Sequence, residues 1–228
     1  MMLALAFALL SSICLALAAF AGVKGIILLW PAVAFGVVAY AYKANNPGLL
    51  GKRTDTGDID VVLKLLLLPF FGLTWGSWHI LRATSKEDAC NQILSGLWIG
   101  RRPNARELPE DVELIIDLTA EFEPARDIEF DDYRRYHCLP MLDASAAHPE
   151  AFKDLVLQVA NDPPIGSVYV HCAQGHGRSA AFVAAVLIAR DIAVDVEEAM
   201  GIISAKRPGV GLAPDQIAFL SRLDLRPR

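Results

Sequence analysis

The chain has 228 residues, 54% of them hydrophobic and 21% charged, with a mean hydropathy of +0.37, which is too apolar for an ordinary water-soluble domain. Its 21 basic and 26 acidic side chains leave a net charge of −5, excluding the basic footprint of a nucleic-acid-binding protein. The charge is divided unevenly: residues 1–83 carry six basic and three acidic side chains, residues 84–228 carry 15 and 23.

Met2 to Ala21 contains no charged residue, and Gly25 to Tyr42 is again uncharged, with Lys24 between them. Each run is close to the roughly 17–25 residues a helix needs to cross a bilayer. The first lacks the basic start of a cleavable signal peptide and a second apolar run follows at once, so two transmembrane helices are expected at about 2–22 and 25–42. Trp30, Tyr40 and Tyr42 lie near the ends of the second run, where amphipathic rings favour the interface. A polar loop from Lys43 to Asp60 leads to a third apolar segment, 61–81, holding Lys64, Pro69, Trp75, Trp78 and His79. It reads either as a third span with Lys64 snorkelling or as a kinked interfacial helix. The interfacial reading leaves the basic clusters on both sides of it in the cytoplasm. Residues 1–83 are therefore expected to form a membrane region.

From residue 84 to 228 the composition is that of a mixed α/β domain, large enough for its own core. LWIG, VELIIDLT, YRRYHCLP and SVYVHC read as short buried strands. PEAFKDLVLQVAN, SAAFVAAVLIARDI, DVEEAMGIISAKR and APDQIAFLSRL read as helices. The alternation predicts an α/β fold with a central, mainly parallel sheet flanked by helices. The cysteines Cys14, Cys90, Cys138 and Cys172 form neither a metal-ligand spacing nor a disulfide framework, so a reducing compartment and no metal or other cofactor are expected.

The chemistry lies in VYVHCAQGHGRSAAFVAAVLIAR. A buried strand ends at His171 and Cys172, Ala173, Gln174, Gly175, His176 and Gly177 form a short loop, and Arg178 and Ser179 open an apolar helix. Such a loop is a nest of backbone N–H groups reinforced by the helix dipole, suited to a phosphate dianion. Two glycines permit torsions and close approaches that a Cβ would hinder. Cys172 at its floor meets a positive potential that favours the nucleophilic thiolate. The planar fork of Arg178 can hold two phosphate oxygens at once.

The stretch HCAQGHGRS matches the His-Cys-x5-Arg-Ser/Thr signature, and from about Asn91 onward the chain resembles the dual-specificity branch of the cysteine-dependent protein tyrosine phosphatases. ILSGLWIGR, VELIIDLT, YHCLPMLD and AKRPGVGLAPDQIAFL occur in the family's order. The resemblance implies attack of Cys172 on phosphorus to give a cysteinyl-phosphate, with Arg178 and the amides of residues 173–177 holding the oxygens. Ser179 would assist departure of the sulfur, and His171 would orient the loop from beneath or serve as a plain core histidine. Asp143, in LPMLDAS and 29 positions before Cys172, is favoured as general acid over Glu150, which begins a helix where a carboxylate complements the dipole. Gln216 is a weaker candidate for positioning water, its alternative being a solvated residue at a helix start.

Family members acting on polyphosphorylated inositol lipids carry lysines in this loop. Here Ala173, Gln174 and His176 stand instead, which points to a single phosphate. Two substrates are open: phosphorylated protein, placed first, and a membrane lipid monophosphate. A phosphate-binding adaptor without turnover is the third reading. Localisation in the cell membrane, multi-pass with the catalytic domain in the cytoplasm, follows from the spans, from the basic loop Lys43–Arg53 and from the need to protect a thiolate.

Overall fold

The computed structural model describes residues 2–225, so the first residue of the expected membrane region and the last three of the expected catalytic domain lie outside the described residues. Two compact units are present. One comprises residues up to Arg53, Asp58–Ser85 and Ala120–Glu123, the other Thr54–Gly57, Lys86–Thr119 and the chain from Pro124 onward.

The first unit is helical. Helix α1 (Met2–Ala21) and helix α2 (Leu29–Ala44) are joined by a tighter 3-10 segment, Gly22–Leu28. Gly22 turns the chain at φ +58°, and Gly25 lies so close to the Ala18 backbone that a Cβ there would strike it. The helices run back along one another: Phe7 stacks on Phe35 and Tyr42, and Ser11 Oγ donates to the Ala32 carbonyl at 2.7 Å. Ala32, Ala34 and Ala41 of α2 are buried, while Leu5, Leu9, Phe20, Ile26 and Ile27 stay exposed. Met2–Ala44 is the one helical stretch, among the described residues, long and apolar enough to cross a membrane.

The apolar segment 61–81 is two helices, α3 (Val61–Leu66) and α4 (Leu68–Thr84). Asp60 caps α3 by accepting from the Val62 and Leu63 amides at 3.0 and 3.1 Å. Pro69 cannot continue α3, because it has no N–H and its ring would meet the carbonyl four residues back; it takes the first turn of α4 instead. The 17 residues of α4 extend about 25 Å at 1.5 Å each, short of the roughly 30 Å hydrocarbon core. The tetrapeptide Ala120–Glu123 belongs to this unit through specific contacts. Lys64 Nζ pairs with Glu123 at 2.6 Å, Trp75 Nε1 donates to the Glu121 carbonyl at 2.9 Å, and Phe122 lies against Trp78.

The second unit is a five-stranded sheet with helices. Its strands are β1 (Cys90–Leu94), β2 (Leu97–Arg101), β3 (Val112–Thr119), β4 (Arg135–Met141) and β5 (Ser167–Cys172), in spatial order β1-β2-β5-β3-β4. Only β1 and β2 are antiparallel; β5 runs parallel to β2 and β3, and β3 parallel to β4. The expected mainly parallel sheet is therefore present, with β1 as an added antiparallel edge. The helices are α5 (Pro149–Asn161), α6 (Arg178–Ala189), α7 (Val196–Lys206) and α8 (Pro214–Leu220).

Alternation along the central strands sets which side chains meet the helices. On β3 Leu114, Ile116 and Leu118, and on β5 Val168, Val170 and Cys172, enter the main core with Phe152 of α5 and Phe182 of α6. Every residue of α6 is buried, so this helix is held on all sides. Ile115 and Tyr169 face the other way into a smaller cluster with Val112, Ala125 and Ile128. The same alternation sends His171 and Cys172 to opposite faces of the sheet, placing the cysteine on the side of α6.

Candidate active site

Cys172 ends β5 and Arg178 begins α6, so the five residues between them turn directly from a central strand into a central helix. The turn folds over the sulfur. Gly175 N–H donates to Cys172 Sγ at 3.3 Å, and Ser179 Oγ lies 3.5 Å from the same sulfur. The sulfur thus has an amide, a hydroxyl and the start of α6 around it.

Gly175 is the residue that lets the loop close. It has φ +78°, and a Cβ there would run into the backbone of Gly100 and Arg101 on β2. A Cβ on Gly100 would in turn meet the Tyr169 hydroxyl, which donates to the Arg101 carbonyl at 2.9 Å. Two glycines in contact thus allow the loop to lie against the sheet. On the flank, the Arg102 amide donates to the Ala173 carbonyl at 3.3 Å.

Arg178 is 1% exposed, and its Nη1 donates to the Met141 carbonyl at 2.9 Å and to the Leu118 carbonyl at 3.5 Å. These are groups at the C-terminal ends of β4 and β3, so the sheet aims the guanidinium. Asp143 follows β4, and its Oδ1 is 3.4 Å from Arg178 Nε while its side chain remains 59% exposed. Its neighbour Ala144 adopts φ +54°, a left-handed conformation that only glycine takes without strain. Cys172, Arg178, Ser179 and Asp143 are thereby gathered at one place. Glu150, the rival acid, lies at the exposed start of α5, 3.2 Å from His148 Nδ1.

His171 is buried, its Nδ1 3.3 Å from the Cys172 carbonyl oxygen and 3.9 Å from Asp117 Oδ1. Asp117 accepts from the Thr119 amide and hydroxyl at 2.8 and 2.7 Å and from the Tyr136 hydroxyl at 2.7 Å. Burial, then the adjacent Asp117, push the Tyr136 phenol far above its ordinary range, so it remains a donor. This network on the far face of the sheet supports the strand end that carries Cys172. Gln216 is not solvated: it is 1% exposed, with Oε1 accepting from the Ala213 amide at 3.0 Å and its side chain beside Gly177. The His176 ring turns to Glu87, with Nε2 to Oε2 at 2.7 Å.

Sequence reasoning assigned no role to Arg207, Asn91, Glu87, Asp117 or Tyr136. Arg207 is 2% exposed and grips the back of the loop: Nε donates to the Gly175 carbonyl at 2.9 Å and Nη2 to that of Gln174 at 3.0 Å. Its Nη1 donates to Asn91 Oδ1 at 2.6 Å and to the Asp88 carbonyl at 3.2 Å. An arginine at the end of a helix reads in sequence as a complement to the helix dipole. The only further signal was its place in AKRPG, a segment already part of the family resemblance.

No protein-family model matches the chain, and no curated protein matches it by sequence. Solved structures do. The human tyrosine phosphatase-like serine/threonine/tyrosine-interacting protein superposes with a TM-score of 0.51 at 22% identity, covering 59% of this chain and 95% of its own. PTPMT1 in complex with PI(5)P gives 0.50 at 23% identity, covering 58% and 92%, and Tk-PTP in its active form gives 0.50 at 21%, covering 60% and 96%. The sheet unit accordingly has the fold of the cysteine-dependent tyrosine and dual-specificity phosphatases.

Proposed function

We propose that the chain is a membrane-anchored cysteine-dependent phosphatase that hydrolyses phosphate monoesters. The observation that carries this reading is the convergence of Cys172 Sγ with the Gly175 amide and Ser179 Oγ, beside an Arg178 guanidinium that lies 3.4 Å from the Asp143 carboxyl. In the first step the amides of residues 173–177 and Arg178 hold the non-bridging oxygens while Cys172 Sγ bonds to phosphorus. The P–O bond breaks as Asp143 gives its proton to the leaving oxygen. In the second step Asp143, now a carboxylate, takes a proton from water as its oxygen bonds to phosphorus. The S–P bond breaks, Ser179 donates to the departing thiolate, and inorganic phosphate is released. Buried Gln216 beside Gly177 is suited to orient that water. All of these roles rest on protein groups alone.

Phosphotyrosine, phosphoserine or phosphothreonine of a protein is the first substrate reading for the catalytic domain, residues 84–228. A membrane lipid monophosphate is the second. It is favoured by the apolar stretch Met2–Ala44, by the exposed Val61, Val62 and Leu65 of α3, and by the likeness to PTPMT1, whose structure holds PI(5)P. A turnover panel of phosphopeptides against lipid monophosphates, with Cys172→Ser as control, separates them. Activity on neither class that depends on Cys172 would refute the phosphatase reading and leave a phosphate-binding adaptor.

The contact of α1 with α2 supports a two-span hairpin in the cell membrane, with the catalytic domain on the cytoplasmic side where its thiolate is protected. Reporter fusions at both termini test this. A C-terminal fusion active only outside the cytoplasm would overturn the orientation.

A further inference from the structure

His176 occupies the fourth of the five loop positions, and its Nε2 is 2.7 Å from Glu87 Oε2. Glu87 Oε2 is also 3.7 Å from Arg207 Nη2. Its other oxygen lies close enough to Gly209 that a Cβ there would press on it and on the His176 ring. Two carbonyl oxygens of the loop, those of Gln174 and Gly175, are already engaged from behind by Arg207. The carboxylate of Glu87 is 46% exposed, so it presents a negative charge at the edge of the phosphate loop beside the loop's own imidazole.

We infer that Glu87 is a specificity-determining residue, restricting the site to phosphate monoesters that have no second phosphate on a neighbouring atom. The inference rests on the phosphatase reading. One phosphoryl group in the loop is served by Arg178 and the amides, which lie inward of Glu87. A second phosphate attached next to the first must project over the rim. There it meets a carboxylate instead of a cation, because the imidazole that would receive it is already turned to Glu87. Like charges repel, and reversal of one charge converts repulsion into attraction.

The test uses the full-length protein in detergent micelles and compares wild type with Glu87→Gln and Glu87→Lys. Glutamine keeps an oxygen that can accept from His176 while removing the charge; lysine reverses it. Calorimetric binding of orthophosphate and of pyrophosphate to the Cys172→Ser background reads the rim without any turnover. Relative to orthophosphate, pyrophosphate affinity should rise about two- to fivefold in Glu87→Gln and further in Glu87→Lys. In turnover, kcat/KM for an inositol lipid with two neighbouring phosphates should rise by a similar factor relative to the monophosphate. A peptide with two adjacent phosphotyrosines, whose phosphates stand many bonds apart, should show no such gain relative to the singly phosphorylated peptide. The lipid and peptide arms tell the two sources of the phosphate apart. An unchanged pyrophosphate-to-orthophosphate ratio in both variants overturns the inference, whatever the turnover shows. Absence of Cys172-dependent turnover in wild type, with the binding ratio shifted, would instead remove the phosphatase reading and leave the rim assignment standing.

Discussion

Replacing Arg207 by Met should disable the loop without touching any atom of the phosphate-binding face. The guanidinium is 2% exposed and donates to the carbonyls of Gly175, Gln174 and Asp88 and to Asn91 Oδ1 at 2.9, 3.0, 3.2 and 2.6 Å. A buried ion is often replaceable by an apolar side chain when its partner charge is removed with it. Here the acceptors are three backbone carbonyls and an amide, with the Glu87 carboxylate 3.7 Å from Nη2, and all of them remain after the substitution. At about 1.5–3 kcal/mol for each hydrogen bond from a charged donor, the two loop carbonyls alone account for about 3–6 kcal/mol. With about 2–4 °C of melting temperature per kcal/mol in a chain of this size, unfolding should move down by roughly 6–24 °C. A loop displaced by about 1 Å should lower kcat about a hundredfold. Arg207→Lys, able to reach one carbonyl with its single ammonium, should recover part of both. The assay is thermal unfolding of the purified protein, followed by tryptophan fluorescence, beside steady-state turnover and tungstate binding. An Arg207→Met variant that melts within about 2 °C of wild type and turns over normally would refute the bracing role.

Gly175→Ala should abolish turnover and phosphate binding together, since φ +78° and the Gly100 backbone both oppose a Cβ; phosphate titration checks it, and retained binding would contradict the close packing. Asp143→Asn should lower kcat by about 10²–10⁴-fold on alkyl phosphates and far less on an aryl phosphate whose leaving group needs no proton, and equal losses on the two would assign Asp143 a structural role. Tyr136→Phe removes the donor at 2.7 Å from Asp117 and should destabilise by about 1–3 kcal/mol. Because the folded phenol lies above its unfolded range near 10, its contribution is fully present below that range and declines only at higher pH. Denaturant titrations should therefore show a constant difference between the two proteins from about pH 6 to 9.

The parts of this molecule legible in its sequence are those written in short, local patterns. The strand VELIIDLT and the helix PEAFKDLVLQVAN stand at the expected positions, because a short run rich in aliphatic and β-branched residues and a 3.6-residue apolar spacing each select one structure. The loop residues were legible because strand, glycines and helix start are contiguous. Edge strand β1 carries no such signal: CNQIL has only one buried residue, Ile93, too little for a hydrophobic pattern. Asn91 and Arg207 are 116 residues apart, and no local signal joins them. The sequence does not decide between water positioning and a solvated helix start for Gln216, because burial of a glutamine depends on how α8 packs beside Gly177, which periodicity does not report. The break in the third apolar segment came from Pro69, whereas the capture of Ala120–Glu123 by α3 and α4 depends on Lys64 meeting Glu123 across 59 positions.

In the proposed mechanism Cys172 carries the phosphoryl group. Wild-type protein mixed with a turning-over aryl phosphate and acid-quenched within milliseconds should yield, by peptide mass spectrometry, a phosphate adduct on the peptide containing Cys172. The adduct should be absent from Cys172→Ser, which is also inactive, and should accumulate in Asp143→Asn when the second step is slowed. Normal turnover by Cys172→Ser, or a phosphate adduct at another residue of the active wild type, would contradict the account.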